Sequence, residues 1–158
     1  ASVTTRQIAT AAGISEGTIF NVFADKDELI AAALEAAIDQ APFERAIRAI
    51  DASQPFEQRL DAATGLIQRR IVDIWKLVSQ LGPQHYPDRK PLPDSTALTD
   101  LMACEPDRLR LDPPDAARLL RALALSLSHP MLAAEPPSTA AIVDMFLHGA
   151  GSSTGDPR

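Results

Sequence analysis

The sequence predicts an all-α protein, and three observations carry that expectation. Ala, Leu and Arg are abundant, 46% of residues are hydrophobic and only 4% are aromatic, a composition that favours helix. No run alternating with period two is flanked by hairpin turn residues. Apolar residues instead recur at steps of three and four, and the runs start at capping residues or proline and stop at glycine or proline.

Taken in order, the first stretch is Thr4 to Leu29, TTRQIATAAGISEGTIFNVFADKDEL. Thr4 with Gln7 spells a capping box, Ile8, Ala9 and Ala12 follow at helical spacing, and Gly13 suits the left-handed residue that ends a helix. Ser15 is an N-cap for a second helix, expected to run to Phe23, with Ile19, Val22 and Phe23 on one apolar face. Asp25 with Glu28 is another capping box and opens a third helix, expected from Lys26 to about Gln40 with Leu29, Ala33, Leu34, Ala37 and Ile38 as its stripe and Pro42 as its stop. Two short helices joined by a tight glycine turn make a helix-turn-helix.

Further on, Phe43 to Ile50 is a short amphipathic piece. From Pro55 to Leu81 runs the longest pattern, Phe56, Leu60, Ala63, Ile67, Ile71, Ile74, Val78 and Leu81, one face of a single helix, with Arg59, Arg69, Arg70 and Lys76 off that line. Gly82–Asp94 is a proline-rich loop. Ala97–Ala103 is a short helix. Asp112, Pro113 and Pro114 start the next, whose face is Leu119, Leu120, Leu123, Ala124 and Leu127 and whose stop is Pro130. Ser138 caps a last helix with Ile142, Val143, Met145, Phe146 and Leu147, closed by Gly149, and residues 151–158 read as a disordered tail.

At 158 residues the chain is long enough for one sizeable core, or for a small headpiece and a larger body. The single cysteine, Cys104, excludes an intrachain disulfide framework, is expected to be a buried apolar residue, and suits a cytoplasmic location. No signal peptide and no apolar run of membrane-spanning length is visible. The net charge of −6 sits awkwardly with a polyanionic partner. Residues 1–30 hold only Arg6 and Lys26 against Glu16, Asp25, Asp27 and Glu28, and phosphate contact normally draws on positive charge. Backbone N–H groups and helix N-termini are one way round this.

Thr4, Ile8, Ala9, Ala12, Gly13, Ile14, Ser15, Gly17, Thr18, Ile19, Phe20, Phe23, Lys26 and Leu29 follow the pattern T-x-x-x-I-A-x-x-A-G-[VI]-S-x-G-T-[LI]-[YF]-x-x-F-x-x-K-x-x-L. In this stretch, about a sixth of the chain, the sequence resembles the tetracycline-repressor (TetR) family of bacterial transcriptional regulators. The resemblance implies a DNA-binding headpiece followed by a helical body that dimerises and holds a small-molecule effector. It implies the boundaries 1–41 for the headpiece with its linking helix, 42–150 for the body and 151–158 for the tail. It also implies a helix ahead of Thr4, which the stretch Ala1, Ser2, Val3 lacks.

Candidate DNA contacts follow from both arguments. Ser15, Glu16, Gly17 and Thr18 open the second helix, where residues point into a major groove, and Phe20 and Asn21 share its exposed side. Glu16 accepts only from cytosine N4 and otherwise repels phosphate. The resemblance assigns phosphate or base contacts to Thr5, Thr18, Phe20, Asn21 and Lys26. The family often has Tyr at the position of Phe20, and Phe lacks the phenolic donor. For an effector cavity beside the long helix, Arg70, Ile71, Trp75, Val78, His85, Tyr86, Met102 and Leu123 are the expected lining, weighed against ordinary core packing. Leu119, Ala122, Leu123, Ser126, Leu127, Ile142 and Phe146 lie on wide apolar faces of the last two long helices, and these are expected to pair with a symmetry mate in a four-helix bundle.

Catalysis finds no constellation. His85, His129 and His148 fall in no metal-ligand spacing, and Asp144 with His148 reads as a surface pair. No cofactor, metal or membrane partner is expected, and no enzyme activity. The expected function is a ligand-responsive, homodimeric repressor on a double-stranded, pseudo-palindromic operator. The alternative, motivated by the acidic headpiece, is a helical ligand-binding or protein-interaction module that does not bind DNA.

Overall fold

The computed structural model describes residues 4–79 and 93–149, and these fold as helices joined by turns. They are α1 (Thr5–Ala12), α2 (Glu16–Phe20), α3 (Lys26–Ile38), α4 (Ala41–Arg48), α5 (Phe56–Val78), α6 (Thr96–Ala103), α7 (Pro113–Ser128) and α8 (Thr139–His148), with a 3-10 turn at Pro106–Arg108. No strand occurs among the described residues, so the fold is all-α as composition and periodicity require.

Packing separates two compact units. Of the described residues, the first comprises 4–40 and 73–79 and the second 41–72 and 93–149. In the first, α1 packs on α2, and Ala9, Ile19 and Leu34 are its buried hydrophobic residues among α1 to α3. The second has one continuous core. Phe56, Leu60, Ala63 and Ile67 of α5 join Phe43 and Ile47 of α4, Leu98 and Met102 of α6, Leu120 and Ala124 of α7, and Ile142 and Val143 of α8. The steps of four and three from Phe56 to Ile67 put these side chains on one face, and burial follows that face.

Several expected boundaries shift. The second helix, expected to run from Ser15 to Phe23, is helical only from Glu16 to Phe20, with Asn21 as its C-cap and a turn through Val22. Ile19 O accepts from the N–H groups of both Val22 and Phe23, which tightens the last turn and ends the helix. Helix α3 stops at Ile38, where Asp39 leaves helical geometry at φ −54° and ψ 128°. Pro42 does not stop it but sits at the second position of α4, in a first turn where its missing N–H would have no partner anyway. Within the expected stripe of α3, Leu34 is buried, Leu29 and Ala37 are half-buried, and Ala33 and Ile38 are exposed.

Arg59, expected off the apolar line of α5, is buried, and Cys104, expected buried, is exposed. The Arg59 guanidinium lies 5.6 Å from the centre of the Phe56 ring and meets Glu105 at 2.6 Å, so the charge finds both partners inside the unit. The Cys104 thiol, in the turn after α6, donates to Asp100 O at 3.3 Å. The loop expected at Gly82–Asp94, Leu81 at the end of the long helix and the tail at 151–158 lie outside the described residues, apart from Pro93 and Asp94.

Candidate nucleic-acid interface

The first three helices are held by local capping. Thr4 Oγ1 accepts from the Gln7 N–H while the Gln7 side chain accepts from the Thr4 N–H at 2.9 Å, a complete capping box. Gly13 ends α1 at φ +67°, in the left-handed region, and donates back to Ala9 and Thr10. A side chain there would be strained, and this turn sets the direction in which α2 leaves α1.

Helix α2 opens on Ser15, whose Oγ accepts from the Thr18 N–H at 3.1 Å and lies 2.8 Å from the Thr18 hydroxyl. Ile19 alone of the helix is buried. Ser15, Gly17, Thr18, Phe20 and Asn21 are exposed, and Phe20 leaves 48% of its surface to solvent. A Cβ on Gly17 would meet only Ser15 Oγ, at 3.7 Å, so the backbone there lies open to close approach. Polar groups therefore stand along one face of a short rod whose other face is pinned to α1.

The acidic residues of this region have structural partners. The Thr5 hydroxyl donates to Glu16 Oε1 at 2.5 Å, bridging the first turns of α1 and α2. Asp25 Oδ1 accepts from the Glu28 N–H at 2.8 Å and caps α3, and the Glu28 carboxylate accepts from the Ala24 N–H, one residue beyond the expected reciprocal partner Asp25. Three of the four carboxylates thus serve N-termini or hold α1 to α2, where negative charge also matches the helix dipole. Lys26 is half-buried at the start of α3.

This arrangement is a helix-turn-helix: two short helices, a left-handed glycine between them, and a second helix with an outward polar face. A model of the family described as bacterial regulatory proteins, tetR family, matches residues 1–33, which contain the whole motif. The headpiece is of the tetR family, whose members are DNA-binding transcriptional regulators. No curated protein and no solved structure matches the chain.

The other expected site residues are dispersed. Met102 is fully buried in the core, Leu123 packs half-buried against that core, and Arg70 lies 5.6 Å from the Phe43 ring in the second unit. Ile71, Trp75 and Val78 are half-buried on the later turns of α5, while His85 and Tyr86 fall outside the described residues. Of those described, none lines the grooves bordered by α6 and α7, by α7 and α8, or by α5 and α8 in the second unit.

Of the residues expected on a dimer face, Ile142 is fully buried in its own core, so α8 presents Met145 and the half-buried Phe146 instead. Leu119, Ala122 and Ser126 are exposed along α7, with Leu123 and Leu127 half-buried. Leu119 and Phe146 share a groove with Leu109, Leu111 and Leu147.

Two further grooves were not legible beforehand. One, of about 250 Å³, is bordered by Asp94, Ser95, Thr99, Arg118 and Arg121. The other, of about 580 Å³, lies between the first half of α5 and α8. Among the described residues no helix is long and apolar enough to cross a membrane, and no group of three or more His, Cys, Asp and Glu residues is placed to hold a metal ion.

Proposed function

We propose that this protein is a ligand-responsive transcriptional repressor that binds a pseudo-palindromic operator as a homodimer. The observation that carries the reading is the outward row Ser15, Gly17, Thr18, Phe20 and Asn21 on a helix fastened to α1 through its buried Ile19. Hydroxyl and amide groups at such positions bond base edges and phosphates. Lys26 supplies the positive charge nearest this row in sequence, and Phe20 offers a ring edge to a thymine methyl. The exposed strip of α7 with Met145 of α8 is the face for a second copy, because two helix faces left open together are covered economically by their own symmetry mates. An effector in the body acts only through different affinities for the DNA-bound and free states.

An operator selected from random duplexes and labelled for fluorescence anisotropy tests the reading. Asn21→Ala and Lys26→Ala are each expected to weaken binding about tenfold while sedimentation still shows a dimer. Unchanged affinity in both variants discards these roles. Affinity should also fall steeply as salt rises, through counterion release. A chain that forms no duplex complex even at low salt is instead a ligand-binding or protein-interaction module, the reading that the acidic headpiece favours.

A further inference from the structure

The groove between α5 and α8 contains an uncompensated carboxylate. Ala62, Val143 and Leu147 form apolar walls, and Glu57, Asp61 and Asp144 line it as well. Two of these three acids have cationic or titratable partners. Glu57 accepts from Arg108, and Asp144 lies 2.9 Å from His148 Nδ1. Asp61 differs: its Oδ1 is closed off from solvent and has no hydrogen-bond partner. An oxygen in that state has lost its water without receiving a donor, which is costly for a neutral acid and more so for a carboxylate.

We propose that this groove binds an organic monocation, an alkyl- or arylammonium whose charge sits against Asp61 and whose apolar part covers Ala62, Val143 and Leu147. The volume of about 580 Å³ falls in the range of small-molecule sites and suits a ligand of drug-fragment size or somewhat larger. Charge complementarity sets the class. Arg108 pairs with Glu57 but also with Glu105, so the three carboxylates of the groove outnumber the arginine beside them and a positive occupant matches the excess. An anion would meet three carboxylates. A neutral molecule would bring no charge to match that excess. No Phe, Tyr or Trp lines the groove, so selection for the cation rests on the carboxylates, Asp61 above all, and not on a carbocyclic ring face. The proposal is independent of DNA binding.

The test is a titration of the full chain, without DNA, followed by amide NMR. The probes are benzyltrimethylammonium, the neutral N-benzylacetamide and the anion phenylacetate. Saturable shifts are expected for the cation at residues 57–62 and 140–148, with both other probes about tenfold weaker or worse. Asp61→Asn should lower cation affinity by about tenfold while its melting temperature stays the same or rises, since an amide costs less than a carboxylate to keep from water. Ala140→Phe, an exposed lining position, should block the groove and abolish the shifts. N-Benzylacetamide binding as well as the cation, full affinity in Asp61→Asn, absence of saturable shifts, or loss of the groove by self-association of the chain would each overturn the proposal.

Discussion

The headpiece and the body are stabilised by different kinds of contact. Around α1 to α3 the helix starts are held by short-range bonds: Thr4 with Gln7, Ser15 with Thr18 and Asp25 with Glu28 each span three residues, and the Thr5–Glu16 bond spans eleven. Three hydrophobic residues, Ala9, Ile19 and Leu34, are buried there. In the second unit Arg59 meets Glu105 across 46 positions, Glu57 meets Arg108 across 51, and Gln68 bonds both Ser128 and Pro137. Glu44 reaches from α4 to the first turn of α6, accepting from the Thr96 hydroxyl and the Ala97 N–H. A region held by caps can present polar groups outward without a large core behind it, whereas a region held by long-range packing gains stability at the expense of local legibility.

That contrast can be broken most forcefully in the body. Leu60 is fully buried on α5, and Leu60→Ala is expected to cost about 3 kcal/mol through lost transfer energy and the cavity left behind. Urea unfolding followed by far-ultraviolet circular dichroism measures it, and a cost below about 1 kcal/mol would mean that α5 is not the centre of this core. Next comes Arg59→Ala, which removes one of the two guanidinium groups over the Phe56 ring, Arg108 remaining at 5.4 Å, and leaves Glu105 with Arg108, 3.6 Å away. Because Glu105 is about a third exposed, the expected cost is about 2 kcal/mol, below that of breaking a fully buried pair.

The headpiece should respond more weakly and more locally. Ser15→Ala removes the cap of α2 and is expected to cost about 1 kcal/mol. Hydrogen exchange should show reduced protection around Thr18 to Asn21 while the melting of the second unit is unchanged. Loss of protection throughout the second unit would show that the two regions unfold as one.

The smallest effect is electrostatic. A hydrogen bond from Arg108 holds the Glu57 carboxyl down to about 2, below its ordinary 4.5. A depressed folded-state value means that the stabilisation is present above pH 4.5 and fades as pH falls toward 2. Arg118 likewise keeps Asp94 below the usual carboxylate range. For Glu44, burial pushes upward, but hydrogen bonds from Ser95, Ala97 and Thr96 and the charge of Arg48 together bring it below its usual value. The melting temperature of the wild type should therefore fall on acidification, and Glu57→Gln should flatten part of that fall. Parallel curves for the two proteins would remove the Arg108 bond from this account. The pair is solvent-exposed, so the difference is a small one.

What the chain determined on its own is the set of features written within a few residues. Thr4–Gln7, Gly13, Ser15, Asp25, Ser138 and Gly149 all act where their spacing predicts, as caps and stops. They can be read because a cap bonds a backbone group two or three positions away and a left-handed stop is a property of one residue. The outward face of α2 follows for the same reason, since burying Ile19 leaves its neighbours on the other side of a short helix.

Tertiary structure alone decided which members of an apolar or charged set are covered. Periodicity marks Met102, Ile142 and Leu119 alike as apolar-face residues, yet the first two are fully buried and Leu119 is 40% exposed. It marks Arg59 as a surface cation, although Phe56 and Glu105 enclose it. The isolated Asp61 Oδ1 and the groove around it exist only because α5 and α8 approach each other. Helical spacing places a side chain on a face, but the helix that packs there is specified by contacts tens of residues away, and burial depends on that partner.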